Sequence, residues 1–153
     1  MADNFRFKRI LFPTDFSEAS INAAGYALAL ARQNKARLYV LHVVDVSDEA
    51  AGFYLPHLSF ERLDKELMSS ATEMLRNFIA KQFKGYRNIE TQVAAGEPYK
   101  EILKVVKGAD ADVIVMGTLG KARIDRFIFG STTERVMRSA KCPVLVIPPR
   151  KSA

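Results

Sequence analysis

Residues 117–134 read GTLGKARIDRFIFGSTTE, the stretch of the chain richest in groups that handle anions. Gly117 and Gly120 lack Cβ atoms, so they permit positive φ and let a ligand approach the backbone closely. Gly130 is followed by three hydroxyl residues, Ser131, Thr132 and Thr133, at the start of a predicted helix. Free amides and the positive end of the helix dipole favour an anion there, and hydroxyls add hydrogen bonds to phosphate oxygens. Lys121, Arg123 and Arg126 between the glycines supply positive charge. The chemistry suggested is phosphate binding. A structural reading stands beside it: Gly117 ends a strand, Gly130 precedes a helix, and Ser131 is an ordinary N-cap. The stretch is not a Walker A loop, because GTLGK lacks the four-residue gap between glycines and the Lys-Ser/Thr ending. It is not a dinucleotide fingerprint, which would follow the first strand.

These residues need a scaffold, and the flanking pattern supplies one. KRILFPT (8–14) is an apolar run closed by proline, and RLYVLHVV (37–44) is a second. Continuous apolar strands are buried on both faces, as in a parallel sheet. NIETQVAAG (88–96), DVIVMG (112–117) and PVLVI (143–147) complete five predicted strands. Helices are expected from a capping box at Asp15–Glu18 to about Gln33, over Phe60–Phe83 from apolar residues spaced by three and four, from Glu97-Pro98 to Lys107, and over Ser131–Ser139. Residues 45–59 read as a loop, in which Phe53, Tyr54 and His57 either line a ligand entrance or pack.

Alternating strands and helices predict an α/β fold: one domain over residues 1–153, with a doubly wound parallel sheet of order 3-2-1-4-5 and helices on both faces. Such a fold binds ligands at the carboxyl ends of the strands where the order reverses. Here that point lies between strands one and four. The loop Pro13-Thr14-Asp15 and the glycine stretch therefore converge on one crevice. Asp15 has two compatible roles, helix cap and ligand contact.

Bulk properties narrow the class. The chain has 153 residues, 48% hydrophobic and 26% charged, which is the range of globular domains. No apolar run reaches the ~18 residues of a membrane helix, and the N-terminus lacks a secretory pattern, so a cytoplasmic protein without a membrane partner is expected. One cysteine, Cys142, and two histidines leave little for a disulfide or a zinc site. His42, within an apolar strand, reads as a core histidine. The net charge of +6 and pI of about 9.5 suit anionic ligands. Basic residues are dispersed, however, and aromatic residues are not interleaved with them, so nucleic acid is not expected as a partner.

The same residues resemble the universal stress protein family. Its ATP-binding signature, Gly, two residues, Gly, nine residues, Gly, then Ser or Thr, matches Gly117, Gly120, Gly130 and Ser131. ILFPTDFSE, LHVVD and CPVLVIP are similar to other family segments. The resemblance implies that Pro13, Thr14 and Asp15 meet adenine and ribose, that Val43 contacts adenine through its backbone, and that Met116 and Gly117 floor the ribose and first phosphate. It implies that Gly120, Gly130, Ser131, Thr132 and Thr133 hold the phosphates. ATP with Mg²⁺ is the implied cofactor, with no catalytic residue and no protein-bound metal. A stress-response regulatory module is the leading function. A slow ATP hydrolase or phosphotransferase, with Asp15, Asp125 or Glu134 orienting the attacking group, and a nucleotide-independent protein-interaction adaptor are the alternatives. Thr118-Leu119 and Thr132 depart from the family's commonest residues. A homodimer through the last strand (144–148) is implied as well.

Overall fold

The computed structural model describes residues 5–46, 60–118 and 129–150, with only the backbone of 60–64. Five strands, β1 (Arg9–Pro13), β2 (Arg37–Asp45), β3 (Ile89–Gly96), β4 (Val113–Gly117) and β5 (Val144–Ile147), alternate with helices α1 (Glu18–Asn34), α2 (Phe60–Gln82), α3 (Pro98–Ala109) and α4 (Ser131–Ser139). All strand pairs are parallel, and the order is β3-β2-β1-β4-β5. The α/β class and the expected strand order 3-2-1-4-5 are the observed ones.

The two faces of the sheet build two cores. Ile10 and Phe12, Leu38 and Val40, and Val113 and Val115 point to α1 and α2. Leu11, Leu41, Ile114 and Met116 point to α3 and α4. This period of two on strands that are apolar at nearly every position is what a doubly covered sheet requires. On α1, Ala23, Ala24, Ala27 and Ala31 are completely buried; their small side chains let the helix lie close to β1 and β4. Phe12, Phe78 and Phe83 form an aromatic cluster beneath α2, with centroids 5.7–6.1 Å apart.

The capping box is displaced. Helix α1 starts at Glu18, and its N-cap is Ser17, whose hydroxyl accepts from the Ser20 amide at 3.2 Å. The Asp15 carboxylate instead accepts from the Ser17 amide at 3.0 Å, closing a turn ahead of the helix. Between them Phe16 has φ of 64°, which a helical start at Asp15 would not allow. Gly117 also differs from expectation. It lies in extended β4 and is not among the positive-φ residues. A Cβ there would come within 2.9 Å of the carbonyl carbon and oxygen of Ala19, so the missing side chain makes room for α1.

Candidate functional site

The carboxyl ends of β1, β2 and β4 and the N-termini of α1, α3 and α4 enclose a cleft of about 560 Å³. Of the residues singled out from sequence, Pro13, Thr14, Asp15, Val43, Met116, Gly117, Gly130, Ser131, Thr132 and Thr133 all line it. Gly120, Lys121, Arg123, Asp125, Arg126, Phe53, Tyr54 and His57 lie outside the described residues.

One wall is the β1–α1 corner. The Thr14 amide extends the sheet by donating to Leu41 O at 2.8 Å. Its hydroxyl lies 2.5 Å from Ser20 Oγ and accepts from the Phe16 amide at 3.1 Å. His42, from β2, is 2.7 Å from Thr14 O through Nδ1. A carbonyl can only accept, so Nδ1 carries the proton. His42 is thus a structural member of the wall. The φ of 64° at Phe16 is uncommon for a bulky L-residue and costs roughly 1–2 kcal/mol.

The opposite wall is the start of α4. Gly130 is its N-cap, with φ −60° and ψ 154° and no side-chain cap. The Gly130 amide donates to Thr118 O at 2.8 Å, and the first intrahelical bond runs from Glu134 N to Gly130 O at 3.0 Å. The amides of Ser131, Thr132 and Thr133 therefore precede the helical ladder, at the positive end of the dipole. The structural reading of Ser131 as N-cap does not hold, since Gly130 takes that position. The three hydroxyls also differ. Thr133 is buried, and its Oγ1 donates to Gly117 O at 3.0 Å, fastening α4 to β4. Ser131 is exposed.

Ser17, Ser20, Leu41, Val44, Asp45, Pro98 and Ile102 complete the lining. Asp45 was findable as the last residue of LHVVD, at the carboxyl end of a strand. Pro98 and Ile102 join through helix packing that no local signal announces. Beside them Glu97 bonds Arg135 Nη1 and Lys100 Nζ, each at 2.8 Å, tying α3 to α4. Hydrogen bonding from Lys100, with the charges of both cations, holds the Glu97 carboxyl below its ordinary range. Cys142 is away from the cleft lining, and burial raises its thiol pKa, which suits a packing role.

The model of the Universal stress protein family matches residues 6–148. The chain belongs to the universal stress protein family. Universal stress protein MJ0531 of Methanocaldococcus jannaschii is 37% identical over 142 residues, covering 92% of this chain and 82% of that one. The solved structure of MJ0577, from the same organism, superposes with a TM-score of 0.81 at 28% identity, covering 97% of this chain and all of that one. Universal stress protein UspA from Lactobacillus plantarum superposes with a TM-score of 0.77 at 31% identity, covering 94% and 99% of the two chains. The cleft of this family member thus sits on the sheet shared by those structures.

Proposed function

We propose that the cleft binds an adenine nucleotide, ATP carried with Mg²⁺, and that this member of the family is a cytoplasmic, nucleotide-responsive regulatory module built as one domain over residues 1–153. The observation that carries the reading is the start of α4: a glycine N-cap with no side chain of its own, followed by three amides ahead of the helical ladder, all on residues that line the cleft. Such a terminus accepts phosphate oxygens. Gly130, Ser131, Thr132 and Thr133 would hold the phosphates together with Gly120. Met116 and Gly117 would floor the ribose, and Pro13, Thr14, Asp15 and Val43 would meet the nucleoside. Asp15 and Asp45 add carboxylates toward β1 and β2, which favours a ligand with its anionic end at α4. Universal stress proteins of this fold have been solved with cAMP, at 21% identity, and with dAMP, at 23%; at that distance they speak for the fold.

Turnover would further need a group that orients an attacking water; Asp15 Oδ1 and His42 Nδ1 hold the β1–α1 corner together. Among the described residues no helix is long and apolar enough to cross a membrane. We further propose a homodimer through β5, which forms one edge of the sheet and leaves Leu145 42% exposed.

The substitution Gly130→Asp tests the site. The backbone there is accessible to any L-residue, and aspartate is a better N-cap than glycine by a few tenths of a kcal/mol. The variant should melt at or slightly above the wild-type temperature. Its carboxylate would occupy the phosphate end, and ATP affinity measured by calorimetric titration should fall at least about tenfold through like-charge repulsion. Unchanged affinity refutes the cradle, and a wild-type protein that takes up no adenine nucleotide refutes the function.

A further inference from the structure

Phe16 stands behind the cleft and not in its lining, yet it touches two residues that do line it. Its backbone amide donates to Thr14 Oγ1 at 3.1 Å. Its ring lies 4.3 Å from the His42 imidazole, tilted by 32°, and 5.7 Å from the Phe78 ring on α2. His42 in turn donates from Nδ1 to Thr14 O at 2.7 Å. The three residues form a closed circuit: Phe16 to the Thr14 side chain, Phe16 to the His42 ring, His42 to the Thr14 carbonyl. All of this is held with Phe16 at φ 64°. Glycine would supply that backbone without strain, so a backbone requirement alone does not account for phenylalanine. Strained residues persist where the surroundings over-determine them, and they gather at functional sites.

We propose that Phe16 is a positioning residue for the cleft. Its ring clamps the His42 imidazole so that Nδ1 keeps hold of the Thr14 carbonyl, and its left-handed backbone presents Thr14 and Asp15 to the ligand. The inference rests on the nucleotide reading of the cleft, which it extends from the lining to the layer behind it. Because Phe78 belongs to α2, the clamp also braces the corner against that helix.

The test uses the full chain at 25 °C, with Phe16→Gly, which keeps the backbone and deletes the ring, and Phe16→Tyr, which keeps both. Two readouts are taken on folded protein: hydrogen exchange of the His42 Nδ1 proton by nitrogen-edited NMR, and the Kd for Mg-ATP by calorimetry. Phe16→Gly should exchange the Nδ1 proton at least about tenfold faster and raise Kd about tenfold, a loss of roughly 1.4 kcal/mol. Phe16→Tyr should leave both near wild type. A ring that only fills core lowers the melting temperature of Phe16→Gly but leaves His42 exchange and Kd unchanged, and that result overturns the proposal. If wild type binds no ATP, the nucleotide reading falls while the His42 readout still decides: faster exchange in Phe16→Gly upholds the clamp, and unchanged exchange removes it. Should Phe16→Gly not fold, Phe16→Leu keeps apolar volume without a ring face and is judged by the same His42 exchange.

Discussion

Replacing Gly117 by alanine asks why β4 ends in glycine. A methyl group built there meets the carbonyl carbon and oxygen of Ala19 at 2.9 Å and the Ala19 Cβ at 3.1 Å. Optimal carbon contacts lie at about 3.5–4.0 Å, so α1 and the end of β4 must separate by roughly half an ångström. Two of the three neighbours are backbone atoms, which cannot swing aside as a side-chain tip does. Overpacking of this kind costs about 1–3 kcal/mol. Alanine also restricts the unfolded chain, which offsets about 0.4–1 kcal/mol. The net loss is roughly 1–2 kcal/mol, which lowers Tm by roughly 2–8 °C for a domain of this size. The assay is thermal unfolding followed by circular dichroism, with Gly25→Ala as the matched control. A Cβ at Gly25, in the middle of α1, meets nothing within 4 Å. That change should stabilise by about 0.5–1 kcal/mol. Opposite signs for the same chemical change support the packing account, and a Gly117→Ala protein as stable as wild type refutes it.

Two further predictions concern the frame and the assembly. The Tyr86 hydroxyl bonds Ala36 O and lies 3.3 Å from Ala31 O, so Tyr86→Phe should cost about 1 kcal/mol in urea unfolding at neutral pH. Burial raises the Tyr86 pKa above 10, against a smaller opposing effect of Arg32. Its contribution is therefore complete below the unfolded value and is lost as pH rises through the folded one; the gap between wild type and Tyr86→Phe should narrow in strong alkali. Leu145→Lys should convert a dimer into a folded monomer by light scattering at micromolar concentration, and a monomeric wild type would remove the dimer.

Local pattern determined much of this protein. Apolar runs such as RILFP and RLYVLHVV could be satisfied only inside a sheet covered on both faces, and their alternation with helical segments led to the order 3-2-1-4-5 that is observed. That order alone brings Pro13–Asp15, Val43 and Gly130–Thr133 to one cleft, because ligand crevices follow from where parallel strands diverge. Tertiary structure decided the rest, since it depends on distances between segments far apart in the chain. Asp15 and Ser17 are both competent caps, and Ser17 takes the position, with Phe16 before it at a left-handed φ and its ring against those of His42 and Phe78. Gly117 lines the cleft as its place in the sequence suggests, but the close approach of the Ala19 backbone, some hundred residues away, is a second reason for a glycine that only the fold reveals. Thr133 looks like its two hydroxyl neighbours until its side chain is seen to donate to Gly117 O. Periodicity records which face a residue takes. Which partner it meets there is settled only when the helices close on the sheet.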